Sequence, residues 1–315
     1  MQSPAVKRIE GFANVRILII GDVMLDRFIY GAVERISPEA PVPVLSVIRE
    51  YAMPGGAANV ARNVASLGGK AILMGVMGND SNGRMLADLL AQNLSIDNQL
   101  LVVTERPTTT KTRLVAENQQ IVRVDSEVRH GLGASAKALI ARFAEQIAKA
   151  DLVILSDYAK GVLTKEVLHE VIALARAAGK PIVADPKSDD ISRYDGASVI
   201  TPNFGEAAKA TGVSGRDNAA AEAMAGAILA AAPALGAVVI TRSADGMSLA
   251  ERGKPVRHVP VAAKEVADVS GAGDTVVAAL ALALAAGADL TEAVDLSNAA
   301  AGIAVAKRGT AEVRA

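Results

Sequence analysis

The sequence contains 315 residues, 51% of them hydrophobic and 21% charged, which is enough apolar material for one large folded domain. The lack of cysteine in the sequence excludes disulfides, thiolate metal sites and a catalytic thiol, and the three histidines match no zinc-binding spacing. The 33 basic and 34 acidic residues almost cancel, so neither a nucleic acid nor a membrane surface is expected as a partner.

The N-terminal region does not read as an export signal, because Lys7 and Arg8 precede the first apolar run and that run is short. One stretch, 223–241, is free of charge for 19 positions, nominally long enough to cross a bilayer. Pro233 and Gly236 divide it, and this pattern predicts a buried helix, a turn and a buried strand. We therefore expect a cytoplasmic protein.

Short apolar runs alternate with amphipathic segments along the chain. This alternation is typical of βαβ crossovers, and it predicts a doubly wound, mostly parallel α/β sheet in a single domain over 1–315. The predicted strands are 16–20, 71–77, 152–155, 182–184, 198–200 and 237–241. The predicted helices are 56–67, 81–93, 135–149, 164–178, 204–211, 218–231, one opening near 274 and one at about 291–306.

Two segments interrupt the alternation. Residues 35–50 combine three prolines with a Val-Leu-Ser-Val-Ile run, which suits an exposed edge strand. Within 100–125, the runs Thr110–Ala116 and Gln120–Val124 alternate in polarity and predict a hairpin. We expect these two segments to form a small β-sheet lid, whose free edge a twin subunit would cover in a homodimer.

Polar residues follow several of the predicted strands. Asp157 comes after the strand at 152–155, and Asn203 comes after the strand at 198–200. The carboxyl ends of parallel strands form the ligand-binding edge of such a sheet. Helix capping places the same residue types at the same junctions, so both interpretations stay open for each position taken alone.

The most specific pattern is Asp268-Val-Ser-Gly-Ala-Gly-Asp274, directly before an apolar helix. Its small residues let the backbone approach a ligand, and the amides and dipole at the helix start would receive a developing phosphate charge. The carboxylate of Asp274 would accept a proton from an attacking hydroxyl. The alternative is a glycine-rich turn in which Asp274 only caps the helix.

Asn203 and Glu206 lie three positions apart at a predicted helix start, so their side chains share one face. Oxygen ligands in this arrangement suit Mg²⁺ held through its waters, and the alternative is a capping pair. The sequence has no Gly-x-x-x-x-Gly-Lys-Ser/Thr run, which excludes a P-loop protein. No Gly-x-Gly-x-x-Gly turn follows the first strand, which argues against a dinucleotide dehydrogenase.

These motifs resemble the ribokinase-like (PfkB-type) family of carbohydrate kinases, over about 14–310. Gly55–Ala61 is similar to the family's N-terminal signature, 268–274 to its C-terminal signature and Asn203–Glu206 to its magnesium motif. The resemblance implies a ribokinase-like fold, ATP and Mg²⁺ as cofactors, Asp274 as the general base, and Asn203 and Glu206 as the metal residues. The residues whose amides it implies around the transferred phosphoryl group are Gly271, Ala272 and Gly273. The residues it implies near the nucleotide are Asn203, Thr241, Gly246 and Asn298.

Further segments resemble the heptose-phosphate kinase branch of that family: Gly21–Asp26, Arg35–Val44, Thr110–Arg113, 118–125 and Ser156–Gly161. This resemblance implies ATP-dependent phosphorylation of D-glycero-β-D-manno-heptose 7-phosphate at C1. The product would be the 1,7-bisphosphate, on the way to ADP-heptose for the lipopolysaccharide inner core. The residues implied at the sugar phosphate are Asp26, Arg35, Gly55, Gly56, Asn59, Asp80, Lys111, Arg113, Arg123, Asp157, Lys160 and Lys187.

The chain ends at Ala315, and we expect the stand-alone kinase form, which needs a separate adenylyltransferase. Two alternatives stay open. A kinase of another sugar phosphate, such as fructose 1-phosphate or tagatose 6-phosphate, would use the same fold and base. A non-catalytic sugar-binding regulator would have no chemical need of Asp274 or Glu206. For each basic residue, the alternative is a solvated surface charge.

Overall fold

The computed structural model describes residues 4–117, 119–262, 271–306 and 313. The strands are β1 (Arg16–Gly21), β2 (Val23–Ile36), β3 (Pro43–Gly56), β4 (Lys70–Met74), β5 (Val76–Met77), β6 (Ile96–Asn98), β7 (Leu101–Val102), β8 (Thr110–Ala116), β9 (Gln119–Ser126), β10 (Leu152–Ser156), β11 (Ile182–Asp185), β12 (Val199–Ile200), β13 (Ala237–Thr241), β14 (Met247–Glu251) and β15 (Arg257–Val259). The α-helices are α1 (Pro4–Gly11), α2 (Ala57–Ser66), α3 (Ser81–Ala91), α4 (Ser135–Gln146), α5 (Lys165–Ala177), α6 (Phe204–Thr211), α7 (Asn218–Ala231), α8 (Ala272–Ala285) and α9 (Leu290–Val305).

The larger sheet has nine strands within the described ranges, in the order β15-β14-β13-β12-β11-β10-β1-β4-β6. From β13 to β6 all neighbours run parallel, and only β14 and β15 pair antiparallel at one edge. The central strands β1 and β10 are near-continuous apolar runs, as expected of parallel strands buried on both faces. The prediction of a mostly parallel α/β sheet is confirmed.

Helices cover both faces of this sheet, which makes it doubly wound. On β1, Ile17 and Ile19 pack in one core cluster with apolar residues of α2, α8 and α9. The alternating residues Leu18 and Ile20 pack in a second cluster with residues of α4, α5 and α7. This division follows from the two-residue period of a strand, which sends successive side chains to opposite faces.

A smaller sheet stands apart, in the order β3-β2-β8-β9. The predicted hairpin is its β8–β9 pair, and the predicted edge strand is part of β3. Two details differ from the prediction. Val23–Ile36 forms the long strand β2. Its mixture of charged, aromatic and small residues lacks a regular strand pattern, so this strand was not predicted. Residues 101–102 pair with β5 instead of joining the small sheet.

The predicted strand at 71–77 is divided into β4 and β5 at Gly75. A Cβ atom at that glycine would lie 2.5 Å from the carbonyl oxygen of Gly21, so only glycine allows the chain to turn there against β1. The short strands β6, β14 and β15 have no counterpart in the predicted elements.

The charge-free stretch 223–241 forms the end of α7 and the whole of β13, with Pro233 and Gly236 between them. This confirms the predicted helix, turn and strand. In the described part of the chain, no helix combines the length and apolar character needed to cross a bilayer.

Candidate active site

A cleft of about 370 Å³ lies where the carboxyl ends of the parallel strands face the small sheet. Such a position is where open parallel sheets bind ligands. The predicted site residues that line the cleft are Asp26, Gly56, Asn59, Lys111, Arg113, Lys187, Asn203, Glu206, Thr241, Gly271, Gly273 and Asp274.

Asp274 is the third residue of α8, which begins after Gly271 in the left-handed backbone conformation at φ 78°. Its two carboxylate oxygens have different donors. The side-chain amide of Asn59 donates to Oδ2 at 2.5 Å, and the hydroxyl of Tyr158 donates to Oδ1 at 2.5 Å. The motif glycines and Asp274 therefore sit together at a helix start, while residues 268–270 of the motif lie outside the described residues.

The electrostatic surroundings of Asp274 shift its pKa toward neutral pH. Burial raises the pKa of Asp274 to about 6, helped by the negative charge of Asp26 and opposed by the hydrogen bonds from Tyr158 and Asn59. Burial and the charges of Asp274 and Glu206 raise the pKa of Asp185 well above its ordinary value. Burial therefore raises the pKa of both carboxyl groups at this end of the cleft.

Asn203 and Glu206 form a complete capping box at the start of α6. The side chain of Asn203 accepts from the backbone amide of Glu206, and the carboxylate of Glu206 accepts from the amide of Asn203, both at 2.9 Å. The capping alternative is therefore realised in the structure. The same pair also lines the cleft, where the second oxygen of Glu206 lies 2.7 Å from Nζ of Lys187.

The opposite wall carries Asp26 on β2. Arg113 on β8 donates to its carboxylate at 2.6 Å, and both side chains are partly exposed in the cleft. A Cβ at Gly55 would lie 2.1 Å from the other oxygen of Asp26, although Gly55 itself does not line the cleft. Because Gly55 has no side chain, the carboxylate of Asp26 can occupy this space.

Replacing Gly55 with alanine is therefore expected to displace Asp26. The overpacking should cost about 1–3 kcal/mol of stability, and KM for a ligand bound at Asp26 should rise about tenfold, as for one lost hydrogen bond. Gly226→Ala on the exposed side of α7 is the matched control. Nothing lies within 4 Å of the Cβ it adds, and it should stabilise the helix by about 0.5–1 kcal/mol. Thermal melts measure the stability and ligand titrations measure the KM. An unchanged KM in Gly55→Ala would contradict the inference that Gly55 keeps Asp26 in place.

The remaining predicted cations do not line the cleft. Arg35 is exposed on β2, and Arg123 on β9 makes a two-pronged ion pair with Asp125. Lys160 is buried, with its Nζ 2.5 Å from Glu127. The structure thus places Lys111, Arg113 and Lys187 at the cleft and the other three elsewhere.

Two predicted acidic residues hold local backbone instead of facing the cleft. Asp80 caps α3 and also accepts hydrogen bonds from the amide and hydroxyl of Thr108. Burial opposes these bonds, yet they hold the pKa of Asp80 below its ordinary value. Asp157 is buried and accepts from the hydroxyl of Tyr194 and the amide of Ala159. Both carboxylates are used as acceptors by the fold.

Three residues predicted near the nucleotide or phosphoryl group lie outside the lining of the cleft. Gly246 turns the chain into β14 at φ 79°, where a Cβ would meet the carbonyl of Val259 at 2.0 Å. Asn298 on α9 donates to the carbonyl of Pro260 at 2.7 Å. Ala272 is the first residue of α8, between two glycines that do line the cleft.

Three polar residues that line the cleft were not among the predicted site residues, namely Tyr158, Asp185 and Thr201. Each follows a predicted strand, so the polar strand ends were the available signal. Position in the sequence alone does not separate these side chains from neighbours such as Asp157, which turn away from the cleft.

The sequence profile described as "pfkB family carbohydrate kinase" matches residues 15–314. The chain belongs to this family. It is 54% identical over 315 residues to "Bifunctional protein HldE" of Caulobacter sp. (strain K31), covering 100% of this chain and 64% of that protein. With the protein of the same name from Caulobacter vibrioides, it shares 55% identity over 305 residues, 96% of this chain and 62% of that protein. The chain thus spans less than two thirds of the length of these relatives.

Solved structures show the same fold. Arabidopsis thaliana ribokinase, determined with ribose and ATP, has a TM-score of 0.76 at 19% identity and covers 94% of both chains. Phosphofructokinase-2 from Escherichia coli, determined with potassium, has a TM-score of 0.75 at 22% identity, with 95% of this chain and 96% of that chain covered. The predictions of a carbohydrate kinase of this family and of a ribokinase-like fold are confirmed.

Proposed function

We propose that the protein transfers the γ-phosphoryl group of ATP to the C1 hydroxyl of D-glycero-β-D-manno-heptose 7-phosphate. The observation that carries this proposal is the pairing of a buried carboxylate, Asp274, with two cations of the small sheet, Lys111 and Arg113, across one cleft. A base suits an attacking hydroxyl, and the cations suit a substrate that already carries a phosphate. The segments that resemble the heptose-phosphate kinase branch support the choice of sugar.

In the proposed reaction, Asp274 accepts the proton of the C1 hydroxyl while the hydroxyl oxygen forms a bond to the γ-phosphorus. The bond from that phosphorus to the bridging oxygen breaks, and ADP leaves with the electron pair. The amides at the start of α8 have no partner within the helix, because the first turn of any helix leaves them free. Gly271, Ala272 and Gly273 would direct these amides to the negative charge on the transferred group.

The oxygen-rich wall opposite the small sheet fits Mg²⁺, which prefers oxygen ligands and keeps several waters. Asn203 and Glu206 would hold it through such waters, since their oxygens already serve the capping box. Among the described residues no cluster of three or more acidic or histidine side chains forms a closed metal cage. When bound, Mg²⁺ neutralises charge on the ATP phosphates. Thr241 lines the same wall, and Gly246 and Asn298 stay proposed neighbours of the nucleotide.

The pKa of Asp274 sets the expected pH dependence. Because burial raises that pKa to about 6, the carboxylate is charged above this pH and protonated below it. We expect kcat/KM for the sugar to level off above about pH 6 and to fall about tenfold per pH unit below it. Initial rates across this range measure the profile, and a flat profile through pH 6 would contradict the assignment of Asp274 as the base.

A substrate panel tests the proposed function directly. ADP release is measured with Mg-ATP and heptose 7-phosphate, unphosphorylated heptose, fructose 1-phosphate, tagatose 6-phosphate or ribose, and phosphorus NMR locates the new phosphate. We expect turnover of heptose 7-phosphate with the new phosphate on C1. Turnover of another sugar phosphate alone would overturn the choice of heptose. The lack of turnover on all of them would favour the non-catalytic regulator.

We also propose a homodimer joined through the small sheet. Its edge strand β3 exposes Val47 and Ile48, and its other edge strand β9 exposes Val122 and Val124. Exposed apolar residues on free strand edges are typical of protein contacts. Light scattering should give a mass twice the 32.3 kDa of the chain, and Ile48→Asp should halve it. A monomeric mass for the unaltered protein would contradict the proposal.

A further inference from the structure

Tyr158 is held against Asp274 by an unusual loop. The tyrosine follows β10, and the backbone that carries it passes through Ala159 at φ 55° and Gly161 at φ 88°. A positive φ is uncommon for alanine and costs free energy that the surroundings must supply. At Gly161 a Cβ would lie 2.2 Å from the carbonyl of His130, so the loop also packs closely against the chain before α4.

The carboxylate of Asp22, at the end of β1, binds this loop at three points. Its Oδ2 accepts from the amides of Tyr158 at 2.9 Å and Lys160 at 3.0 Å, and its Oδ1 accepts from the amide of Val162 at 3.0 Å. Asp22 is 1% exposed, so these bonds are shielded from water. Three amides converging on one buried carboxylate fix the loop more firmly than its own backbone preference would.

A buried cation also binds the loop. Arg106 is 5% exposed and donates to the carbonyl of Lys160 at 2.7 Å and to that of Val128 at 2.9 Å. The main chain of Asp22 adds two further contacts: its amide donates to Ser156, and its carbonyl accepts from Ala57, the first residue of α2. Asp22 therefore contacts both segments that present donors to Asp274.

We propose that Asp22 is a positioning residue for phosphoryl transfer: by binding the amides of 158–162 it fixes the hydroxyl of Tyr158 on the carboxylate of Asp274 and so aims the base. The inference rests on the proposed function, in which Asp274 accepts the sugar proton. Asp22 itself does not line the cleft. The Gly21-Asp22 pair thereby acquires a role that the sequence motif did not specify.

The hydrogen bond from Tyr158 affects how readily Asp274 ionises. Burial and the nearby carboxylates raise the pKa of Tyr158 well above its ordinary value, so its hydroxyl stays a donor. A donor to the charged carboxylate lowers the pKa of Asp274, and losing it raises that pKa. The other charged or titratable groups facing Asp274 across the cleft are Asp26 on β2, Lys111 and Arg113 on β8, Asp185 and Lys187 after β11, and Glu206 on α6.

The test measures the titration of Asp274 in Tyr158→Phe, Asp22→Asn and the double variant. Carbon-13 NMR of labelled aspartate carboxyls follows this titration. The resonance of Asp274 is identified as the one that is missing from the spectrum of Asp274→Asn. Tyr194→Phe is the matched control, because it removes the same hydroxyl from another buried tyrosine–aspartate pair. Arg106→Lys replaces Asp22→Asn if that variant does not fold, since it removes the guanidinium that binds the carbonyls of Lys160 and Val128.

We expect Tyr158→Phe to raise the pKa of Asp274 by roughly one to two pH units, the size typical of a hydrogen bond to a charged group. Asp22→Asn should shift it in the same direction, and the double variant should shift it no further than Tyr158→Phe alone. In kinetics the loss of kcat/KM should be large at about pH 6 and small at about pH 8. Tyr194→Phe should lower stability and leave the pKa of Asp274 unchanged.

Two results would overturn the inference. If the titration of Asp274 is unchanged in Tyr158→Phe, the tyrosine has no part in the mechanism. If it is unchanged in Asp22→Asn, or if the two shifts add in the double variant, Asp22 is a purely structural residue. Because the titration needs no sugar, it stands apart from the proposed function. If the unaltered protein turns over no substrate of the panel while the shifts occur, the proposed function fails and the positioning of Asp274 by Asp22 does not.

Discussion

Replacing Asp274 with asparagine is expected to lower kcat by about 10²–10⁴, the usual contribution of a positioned general base. Asparagine fills the same space but cannot take the proton of the attacking hydroxyl. ATP binding should be retained, because the groups proposed for the nucleotide, such as Asn203 and Thr241, lie on other elements. The measurement is steady-state turnover together with calorimetric titration of ATP.

Asp289→Asn supplies the matched control for this substitution. Asp289 caps α9 by accepting from the amide of Glu292 at 2.8 Å, and asparagine caps helices about as well as aspartate. The control should leave both turnover and ATP binding unchanged. Near-normal turnover in Asp274→Asn, with the control intact, would show that another group accepts the proton.

Most of the larger sheet could be predicted from local patterns. Strand β13 and helix α7 match their predicted bounds because continuous apolar runs and helical spacing reflect burial directly. The long strand β2 could not be predicted in this way. Its outer residues are half-exposed and pair with β3 and β8, which lie far apart in the sequence, so its apolar pattern is diluted.

In the candidate site, too, residues in local motifs could be predicted and residues placed by distant contacts could not. Asp274 was predictable because a Gly-Ala-Gly-Asp turn before an apolar helix has few physical uses. Tyr158 was not, since its contact with Asp274 depends on a loop held by Asp22, 136 positions earlier in the chain. Asp80 and Asp157 show the converse case, because their carboxylates bind backbone and hydroxyl groups of the fold. Acidic residues at strand and helix ends suit both ligands and backbone amides, and only the fold shows which of the two they contact.

Removing the cations of the small sheet should raise KM for the sugar phosphate. Lys111→Met and Arg113→Met are each expected to raise KM for heptose 7-phosphate by roughly 10- to 100-fold, as for lost hydrogen bonds to a charged group. The KM for unphosphorylated heptose, if it is turned over, should change little. Because the phosphate is bound equally in the ground state and the transition state, kcat of Lys111→Met should stay near that of the unaltered protein.

Lys111 gives the cleaner of the two tests. Its Nζ lies 3.5 Å from Asp125, which does not line the cleft, whereas Arg113 pairs with Asp26, which does, at 2.6 Å. Removing Arg113 therefore also frees a negative charge close to Asp274, which should raise the pKa of that base and lower activity near pH 6. Arg49→Met is the control, since Arg49 lies over the ring of Tyr30 on the same sheet and does not line the cleft. Equal losses for phosphorylated and unphosphorylated heptose in Lys111→Met would show that these cations do not recognise the phosphate.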